Sequence, residues 1–286
     1  SLGTVQFGLD YGITNQNGTV AQNEVGKILE LANQNGIRKL DTAIAYGTSE
    51  SVLGKFDLSD FDVITKIPPM HSSSEEIDSL VIGSLERLNI SKLYGIMLHN
   101  EDDVFINSSE HLKSLSVLKN QNIVEKVGAS FYSPEKAIAA IESGVMDIIQ
   151  IPANVLDNRF ESLGVYEAAL QNNVEIHVRS LFLQGLLAVN ASGRPEKFKL
   201  HSDLLKFDET CKKLGLTALE TALMHLSRKE YISYGVVGCI NQEQLKQITE
   251  AYQKVTLLGD IEIPNLSSLD DFFIKFLEND IFFSLK

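Results

Sequence analysis

The sequence predicts an α/β fold, an eight-stranded parallel (β/α)8 barrel, also called a TIM barrel. Short apolar runs rich in β-branched residues recur along the chain, and the longer stretches between them carry apolar residues at spacings of three and four. This alternation is typical of a barrel in which each strand is followed by a helix. The 286 residues are 44% hydrophobic and contain no Pro/Gly/Ser-rich linker, so residues 1–286 are expected to form a single barrel domain.

Eight segments are predicted as strands because each is nearly all apolar, as strands buried on both faces of a parallel sheet are. They are residues 2–8, 39–43, 61–66, 93–99, 125–131, 148–154, 175–180 and 232–238. Helices are predicted at residues 23–36, 74–88, 108–120, 133–144, 161–172, 217–229 and 241–253. In the first of these helices, one side is predicted to carry Val25, Ile28, Leu29 and Leu31, and Gly36 ends the run.

Two further segments depart from the alternation. Residues 185–201 interrupt it after the seventh strand and precede an extra helix at about 203–214, which predicts an inserted loop over the mouth of the barrel. Residues 268–283 carry phenylalanines at near-helical spacing with acids between them, which predicts an amphipathic C-terminal helical tail. A doubly wound sheet is the competing architecture, but no G-x-G-x-x-G loop follows the first strand.

The overall charge and composition narrow the choice of partners. A formal charge of -13 and a pI near 4.9 repel phosphate backbones, which argues against nucleic-acid binding and against an anionic membrane surface. No apolar run approaches the roughly 18 residues of a membrane helix. The two cysteines, Cys211 and Cys239, form no C-x-x-C pair, and the histidines show no metal-ligand spacing. We therefore expect a cytoplasmic protein that binds small molecules and holds no metal.

Four residues suited to proton transfer follow consecutive predicted strands. Asp41, Lys66 and His99 lie at the C-terminal ends of strands two, three and four, and Tyr46 follows strand two, so all four are expected at one mouth. A lysine ammonium beside a phenol stabilises the phenolate, and a carboxylate holds the lysine in place. Lowering a phenol pKa from about 10 to about 7 takes roughly 4 kcal/mol. Taken singly, Asp41 also fits a turn cap, Lys66 an exposed lysine and His99 a hydrogen-bonded histidine near the core.

The segments that carry these residues resemble the aldo-keto reductase superfamily. "LDTAIAYGTSE" (40–50) resembles its strand-two signature, "VITK" (63–66) its lysine strand and "MLHN" (97–100) its histidine strand, in the same order. The resemblance runs over essentially the whole chain. It implies that Tyr46 is the general acid/base, that Lys66 and Asp41 tune it, and that His99 orients the substrate. The opening "LGTVQFGLDYG" is similar to a branch associated with bacterial surface-polysaccharide gene sets.

The same resemblance implies a nicotinamide cofactor, NADP(H), held across the barrel mouth without a Rossmann glycine loop. The residues it assigns to cofactor binding are Gly3, Thr4, Ser130, Gln150, Arg179, Gly238 and Gln244. Four positions depart from the family pattern: Phe131 replaces an asparagine, Arg179 replaces an aromatic residue that stacks on the nicotinamide, and Gly238 and Gln244 replace basic residues that hold the 2′-phosphate. Without those basic residues, NAD(H) remains open as the cofactor.

These observations predict an NAD(P)(H)-dependent oxidoreductase that reduces the carbonyl of a small, polar substrate such as a sugar derivative. An alternative from another class is a cofactor-binding regulatory or interaction protein that keeps the barrel but turns over little, because fold does not guarantee activity. The departures at Phe131, Gly238 and Gln244 motivate this alternative. A metal-dependent lyase or isomerase barrel is the third interpretation, although strands three to five end in Lys66, His99 and Ser130 rather than in carboxylates.

Overall fold

The computed structural model describes residues 1–69, 75–105, 110–259, 261 and 263–266. Within these residues, nine short strands form one parallel sheet: β1 (Leu2–Gly3), β2 (Lys39–Asp41), β3 (Asp62–Ile67), β4 (Leu93–Leu98), β5 (Val124–Ser130), β6 (Ile148–Pro152), β7 (Glu175–Arg179), β8 (Tyr234–Gly235) and β9 (Val237–Gly238). Their order is β8-β7-β6-β5-β4-β3-β2-β1-β9. Because only Val236 separates β8 from β9, the sheet closes into a barrel, which confirms the predicted (β/α)8 fold.

Helices lie between successive strands, as the alternation predicts. They are α1 (Val5–Gly8), α2 (Gln22–Gln34), α3 (Ser49–Leu53), α4 (Glu75–Leu88), α5 (Glu110–Asn120), α6 (Pro134–Glu142), α7 (Arg159–Ser162), α8 (Val165–Gln171), α9 (Glu196–Lys199), α10 (Ser202–Leu214), α11 (Ala218–Ser227) and α12 (Gln242–Leu257). The extra helix after the seventh strand is α10. The predicted C-terminal tail at 268–283 lies outside the described residues.

Three elements differ from the prediction. The first strand ends at Gly3, because the chain turns into α1, where the Leu9 N–H donates to the Val5 carbonyl at 2.9 Å. The eighth strand is divided at Val236, so that β8 pairs with β7 and β9 pairs with β1. The helix predicted at 161–172 is broken at Gly164, whose φ of +85° is left-handed, into α7 and α8.

Local sequence signals explain where several helices begin. The Ser133 hydroxyl accepts the Lys136 N–H, and Pro134 follows in the first turn, so this segment is the start of α6. Thr217 and Glu220 form a reciprocal capping box at the start of α11. Among the described residues, no helix has the length and apolar character that crossing a membrane requires.

The barrel has an outer and an inner core. Along β3, Val63 and Ile67 point outward into the large apolar core between strands and helices, while Ile64 and Lys66 point inward. Ile64, Met97 and Ile148 are fully buried and form a small apolar layer inside the barrel. This layer separates polar groups at the carboxyl end of the barrel from polar groups at the amino end.

Candidate active site

A cavity of about 1030 Å³ opens at the carboxyl end of the barrel. Its walls include the strand ends of β1, β2, β6, β7 and β9, and the loops that follow them. Asp41, Tyr46 and His99 line the cavity, and Lys66 lies fully buried behind them. The structure therefore brings together the four residues that the sequence places at one mouth.

Asp41 and Lys66 form a buried ion pair. Lys66 Nζ lies 2.6 Å from Asp41 Oδ1 and donates to the Thr42 carbonyl at 2.9 Å. The other carboxylate oxygen, Asp41 Oδ2, accepts from Gln150 Nε2 at 2.7 Å. Burial lowers the pKa of Lys66, and the neighbouring Asp41 carboxylate opposes this shift. These hydrogen bonds fix the ammonium in one position, as a buried charge pair requires.

Tyr46 presents its phenol to this ammonium. Lys66 Nζ lies 3.5 Å from Tyr46 Oη. The loop that carries Tyr46 packs closely on the backbone of α1: a Cβ at Gly8 would clash with the Tyr46 carbonyl, and Gly47 has a left-handed φ of +59°. Ser49 then anchors the loop by donating to the Thr4 carbonyl at 2.9 Å. The two glycines and Ser49 therefore set the position of the phenol.

His99 lies beside Tyr46 at the end of β4. The two ring centroids are 5.8 Å apart and the rings meet edge to face at 78°. Burial, followed by the positive charges of Lys66 and Arg179, lowers the pKa of His99 to about 3. The imidazole is therefore neutral at neutral pH, and one ring nitrogen can donate a hydrogen bond while the other accepts one.

Comparison with known proteins assigns the chain to a family. The model of the aldo/keto reductase family matches residues 1–271. The chain belongs to the aldo/keto reductase family. A D-arabinose 1-dehydrogenase of Saccharomyces cerevisiae is 24% identical over 294 residues, an alignment that covers 89% of this chain and 83% of the yeast protein.

Solved structures show the same fold. The holo form of an aldo-keto reductase from Bacillus halodurans superposes with a TM-score of 0.73 at 18% identity, covering 97% of this chain and 91% of that one. A Pseudomonas aeruginosa protein assigned to the aldo-keto reductases gives a TM-score of 0.70 at 21% identity, with 89% of both chains covered. Membership of the family makes this chain an oxidoreductase.

In this aldo/keto reductase, the residues expected at the nicotinamide end make contacts within the protein. Gln150 lines the cavity, but its amide is held by Asp41. Ser130 is buried and its hydroxyl accepts from Arg179 Nε at 3.3 Å. The Arg179 guanidinium lies over the ring of Tyr132, 4.1 Å from its centroid. Gln150 and Arg179 therefore face the cavity, whereas Ser130 lies beneath Arg179.

The residues expected at the other end line the same cavity. Gly3 pairs in register with both Asp41 and Gly238, and the Thr4 hydroxyl donates to the Asp41 carbonyl at 3.1 Å. Gln244, in the first turn of α12, uses its side-chain oxygen to accept the Ile240 N–H at 3.0 Å. The cavity thus extends from Tyr46 to the start of α12.

Several contacts around the cavity were not predicted from the sequence. Glu101 accepts the backbone N–H groups of Tyr132 and Ser133 at 2.7 and 3.0 Å, and Lys136 Nζ donates to Glu101 at 2.8 Å. These bonds fasten the loop after β4, which carries His99, to the start of α6. An acid two residues after the histidine, with a helix start elsewhere in the chain, is too common a pattern to reveal such a link.

The inserted loop lies over the mouth, as predicted. Of its residues 185–201, Gly185, Ala188 and Val189 line the cavity. Gln184, the residue before this loop, donates from Nε2 to the hydroxyl of Tyr11 at 2.9 Å, which joins it to the loop after α1. Among the residues that the structure describes, no group of three or more histidine, cysteine or acidic side chains is arranged to hold a metal ion.

Proposed function

We propose that this aldo/keto reductase reduces the carbonyl group of a small, polar substrate to an alcohol and uses a nicotinamide dinucleotide as its cofactor. The observation that carries the proposal is the 3.5 Å distance between Lys66 Nζ and Tyr46 Oη at the wall of a large cavity. A phenol is a reluctant acid at neutral pH, and a fixed ammonium beside its oxygen stabilises the phenolate that remains after proton donation.

Each of the four residues then has a role. The chemistry that a bound nicotinamide supplies is a hydride for the carbonyl carbon. Tyr46 donates its proton to the carbonyl oxygen as the negative charge develops there, and Lys66 stabilises the phenolate. Asp41 holds Lys66 in place through its 2.6 Å contact. Neutral His99 hydrogen-bonds the carbonyl oxygen and orients it toward Tyr46.

The cavity supports the binding of a dinucleotide. Its volume of about 1030 Å³ is at the upper end of the range for ligand pockets, roughly 300–1,000 Å³, and it extends from Tyr46 to α12. Gln150 and Arg179 would face the nicotinamide end. Gly3, Gly238 and Gln244 would face the adenosine end.

The adenosine end favours NAD(H) over NADP(H). Among the described residues that line this end, none is a lysine or arginine. The N–H of Gln242 at the start of α12 donates to the Glu24 carboxylate at 2.8 Å, and the N–H of Gln244 donates to Asn241 at 2.8 Å. The Glu24 carboxylate therefore occupies one of the N–H donors at the start of α12, and its charge, which Lys27 partly balances at 3.1 Å, would disfavour a phosphate at this helix start.

The yeast relative is a D-arabinose 1-dehydrogenase, and we propose a sugar derivative as the substrate of this chain on that basis together with the polar groups of the cavity wall. A cytoplasmic location stays a prediction.

Calorimetric titration with NADH and NADPH tests the cofactor proposal. We expect NADH to bind at least as tightly as NADPH, and Glu24→Gln to improve NADPH binding relative to NADH. Exposed Glu230→Gln is the matched control and is expected to leave the ratio unchanged. NADPH binding at least about tenfold tighter than NADH, a difference of roughly 1.4 kcal/mol, would contradict the NAD(H) preference. Failure of the folded protein to bind either dinucleotide would overturn the proposed function.

A catalytically weak protein that binds the cofactor for regulation is the second candidate. The observation that favours it is that the Gln150 amide and the Ser130 hydroxyl are both engaged by other side chains. A screen of aldehydes and keto sugars with both cofactors separates the candidates. Turnover of any carbonyl at rates of about 1 s⁻¹ or more, typical of enzymes, excludes the weak protein.

A further inference from the structure

We propose that Arg179 makes the site bind the reduced dinucleotide, NADH, more tightly than the oxidised one, NAD⁺, by placing an unbalanced positive charge beside the nicotinamide ring. This inference rests on the proposed function, since it concerns the cofactor of the same site. A site of this kind captures NADH and releases NAD⁺, which suits turnover in the direction of carbonyl reduction. Arg179 is the last residue of β7, is half-buried and lines the cavity.

The two redox states of the cofactor differ by one positive charge on the nicotinamide ring. When a hydride passes from the ring to the carbonyl carbon and Tyr46 gives its proton to the carbonyl oxygen, the carbonyl gains two electrons and two hydrogens, and the ring is left as a cation. The pyrophosphate and the adenosine are the same in both states. The ratio of the two affinities therefore reports the electrostatic potential that the protein produces at the ring.

The chemistry limits where the ring can lie. The hydride must reach a carbonyl carbon whose oxygen is hydrogen-bonded by Tyr46 and His99, and reacting atoms approach to about 3–3.5 Å. Tyr46 and His99 both line the cavity. The ring therefore belongs in the part of the cavity beside these two side chains.

The strand register places Arg179 next to this part of the cavity. Leu98 of β4 pairs with Ala129 of β5. The next residues along the chain, His99 and Ser130, therefore lie side by side at the strand spacing of about 4.8 Å. The Ser130 hydroxyl in turn accepts from Arg179 Nε at 3.3 Å. Arg179 is thus one hydrogen bond and one strand spacing from His99, and its charge adds to burial in lowering the pKa of that imidazole.

The contacts of Arg179 leave its charge unbalanced. Its guanidinium donates to the Ser130 hydroxyl at 3.3 Å, to the Ser180 hydroxyl at 3.5 Å and to the Phe131 carbonyl at 3.5 Å, and it lies 4.1 Å from the ring centroid of Tyr132. All of these partners are neutral. Within the part of the chain that the structure describes, no carboxylate forms an ion pair with this guanidinium. A half-buried charge without such a partner acts over a longer range than an exposed one, because less water screens it.

Three acids of the cavity wall have cations of their own. Asp41 pairs with buried Lys66 at 2.6 Å. Glu101 and Asp102 share Lys136, at 2.8 and 2.7 Å, and Asp102 is exposed to solvent that screens it. These carboxylates therefore do not cancel the positive charge at the end of β7.

The other arginine of the wall, Arg159, also has acids beside it. Its Nε lies 3.4 Å from the buried carboxylate of Asp157. The fourth acid of the wall, Glu135, is exposed and accepts from the Ser133 hydroxyl at 2.7 Å. This hydroxyl, with a smaller contribution from Arg159, lowers the pKa of Glu135. Among the described residues of the wall, Arg179 is therefore the cation that no carboxylate balances.

Calorimetric titration with NADH and NAD⁺ tests the inference. We expect the wild type to bind NADH about 10- to 100-fold more tightly than NAD⁺, as one like charge near the ring at a partly buried site gives. Arg179→Gln should lower this ratio by about tenfold or more, chiefly by tightening NAD⁺ binding, whereas Arg179→Lys should keep most of it. Arg179→Met removes the same charge with an apolar side chain and replaces Arg179→Gln if that variant does not fold. Arg228→Gln, a change at an exposed arginine outside the cavity wall, is the control and should keep the full ratio.

Product inhibition gives a second readout. With NADH as the varied substrate of carbonyl reduction, the inhibition constant of NAD⁺ should exceed the KM of NADH by about tenfold or more in the wild type and approach it in Arg179→Gln. A ratio of affinities that the charge-removing variants leave unchanged would overturn the inference, whether both affinities fall together or neither changes. Wild-type binding of NAD⁺ at least as tight as that of NADH would also overturn it. Failure of the folded wild type to bind either form would instead indicate that the proposed function is wrong.

Discussion

The two ends of the barrel hold clusters of the same residue types, a lysine, a tyrosine, an acid and a histidine, arranged in different ways. The carboxyl-end cluster consists of Asp41, Tyr46, Lys66 and His99. The amino-end cluster consists of Lys39, Tyr94, Glu175 and His177. The apolar layer of Ile64, Met97 and Ile148 lies between the two. Only the carboxyl-end cluster contributes to the wall of the cavity.

The clusters differ in where the positive charge lies relative to the phenol. At the carboxyl end, Lys66 Nζ faces the oxygen of Tyr46 at 3.5 Å. At the amino end, Lys39 Nζ lies over the ring of Tyr94, 3.2 Å from its centroid, and the Tyr94 hydroxyl donates to Glu175 at 2.9 Å. Burial, together with this carboxylate, raises the pKa of Tyr94. The amino-end arrangement therefore keeps the phenol protonated as a structural hydrogen-bond donor, whereas the carboxyl-end arrangement places a positive charge at the phenol oxygen.

The comparison shows that composition does not assign chemistry. A lysine, a tyrosine, an acid and a histidine in one cluster are compatible with proton transfer or with stability, and the distance from ammonium to phenol oxygen decides between them. In barrels of this kind, polar groups at the carboxyl ends of the strands serve activity and those at the amino ends serve stability.

The largest expected effect separates the two tyrosines. Tyr46→Phe should reduce turnover by about 10²- to 10⁴-fold with little change in cofactor affinity, because it removes the group that we propose as the proton donor. Tyr94→Phe should leave turnover within about threefold and lower the free energy of unfolding by about 1–2 kcal/mol, because it removes a partly buried hydrogen bond to a carboxylate. Steady-state kinetics and urea unfolding of both variants measure this. Near-normal turnover in Tyr46→Phe would remove the distinction between the clusters.

The amino-end cluster should affect how the free energy of unfolding changes at acid pH. Burial alone would raise the pKa of Glu175, but hydrogen bonds from His177, Lys126 and Tyr94 outweigh it and lower the pKa to about 2 from a usual value of 4.5. A carboxyl with a depressed folded pKa stabilises the fold above pH 4.5, and this contribution is lost as the pH falls through 2. After allowance for solvent screening, the contribution is about 1–3 kcal/mol.

Glu175→Gln should therefore lower the free energy of unfolding at pH 7 by about 1–3 kcal/mol, and the difference from wild type should shrink between pH 4.5 and 2. Urea unfolding across this pH range measures it. The exposed Glu230→Gln serves as the control and should follow the wild-type curve. A constant difference at every pH would show that Glu175 acts by packing and not by charge.

Much of the carboxyl-end cluster could be predicted from the sequence because a parallel barrel brings all strand ends to one mouth. Once the strands were assigned, Asp41, Lys66 and His99 had to converge there, and the order of the motifs placed Tyr46 beside them. The sequence did not predict the distances between side chains. Nothing in the letters "KLD" shows that Lys39 would stack on a tyrosine 55 positions later while Asp41, two residues on, would bind Lys66.

The remaining differences arise from tertiary packing. Val5 and Phe7 are typical strand residues, yet they lie in α1, where Gly8 supports the Tyr46 loop. The division of the eighth strand at Val236 comes from closing the barrel, because β8 pairs with β7 whereas β9 pairs with β1. Sequence periodicity reports the burial of a segment but does not report which neighbour it pairs with.

The smallest expected effect concerns the two histidines. Because His99 has a folded pKa of about 3, below its usual 6.5, it remains neutral between pH 5 and 8 and its protonation favours unfolding as the pH falls below 6.5. Burial also lowers the pKa of His177, but there Glu175 opposes the shift and Arg179 has no part. We expect Arg179→Gln to raise the pKa of His99, because it removes one of the two cations that depress it, and to leave His177 unchanged. NMR titration of the histidine ring signals measures both. Equal shifts at the two histidines would mean that Arg179 acts on the whole barrel, whereas a shift at His99 alone would locate its charge at the mouth where we propose that the carbonyl binds.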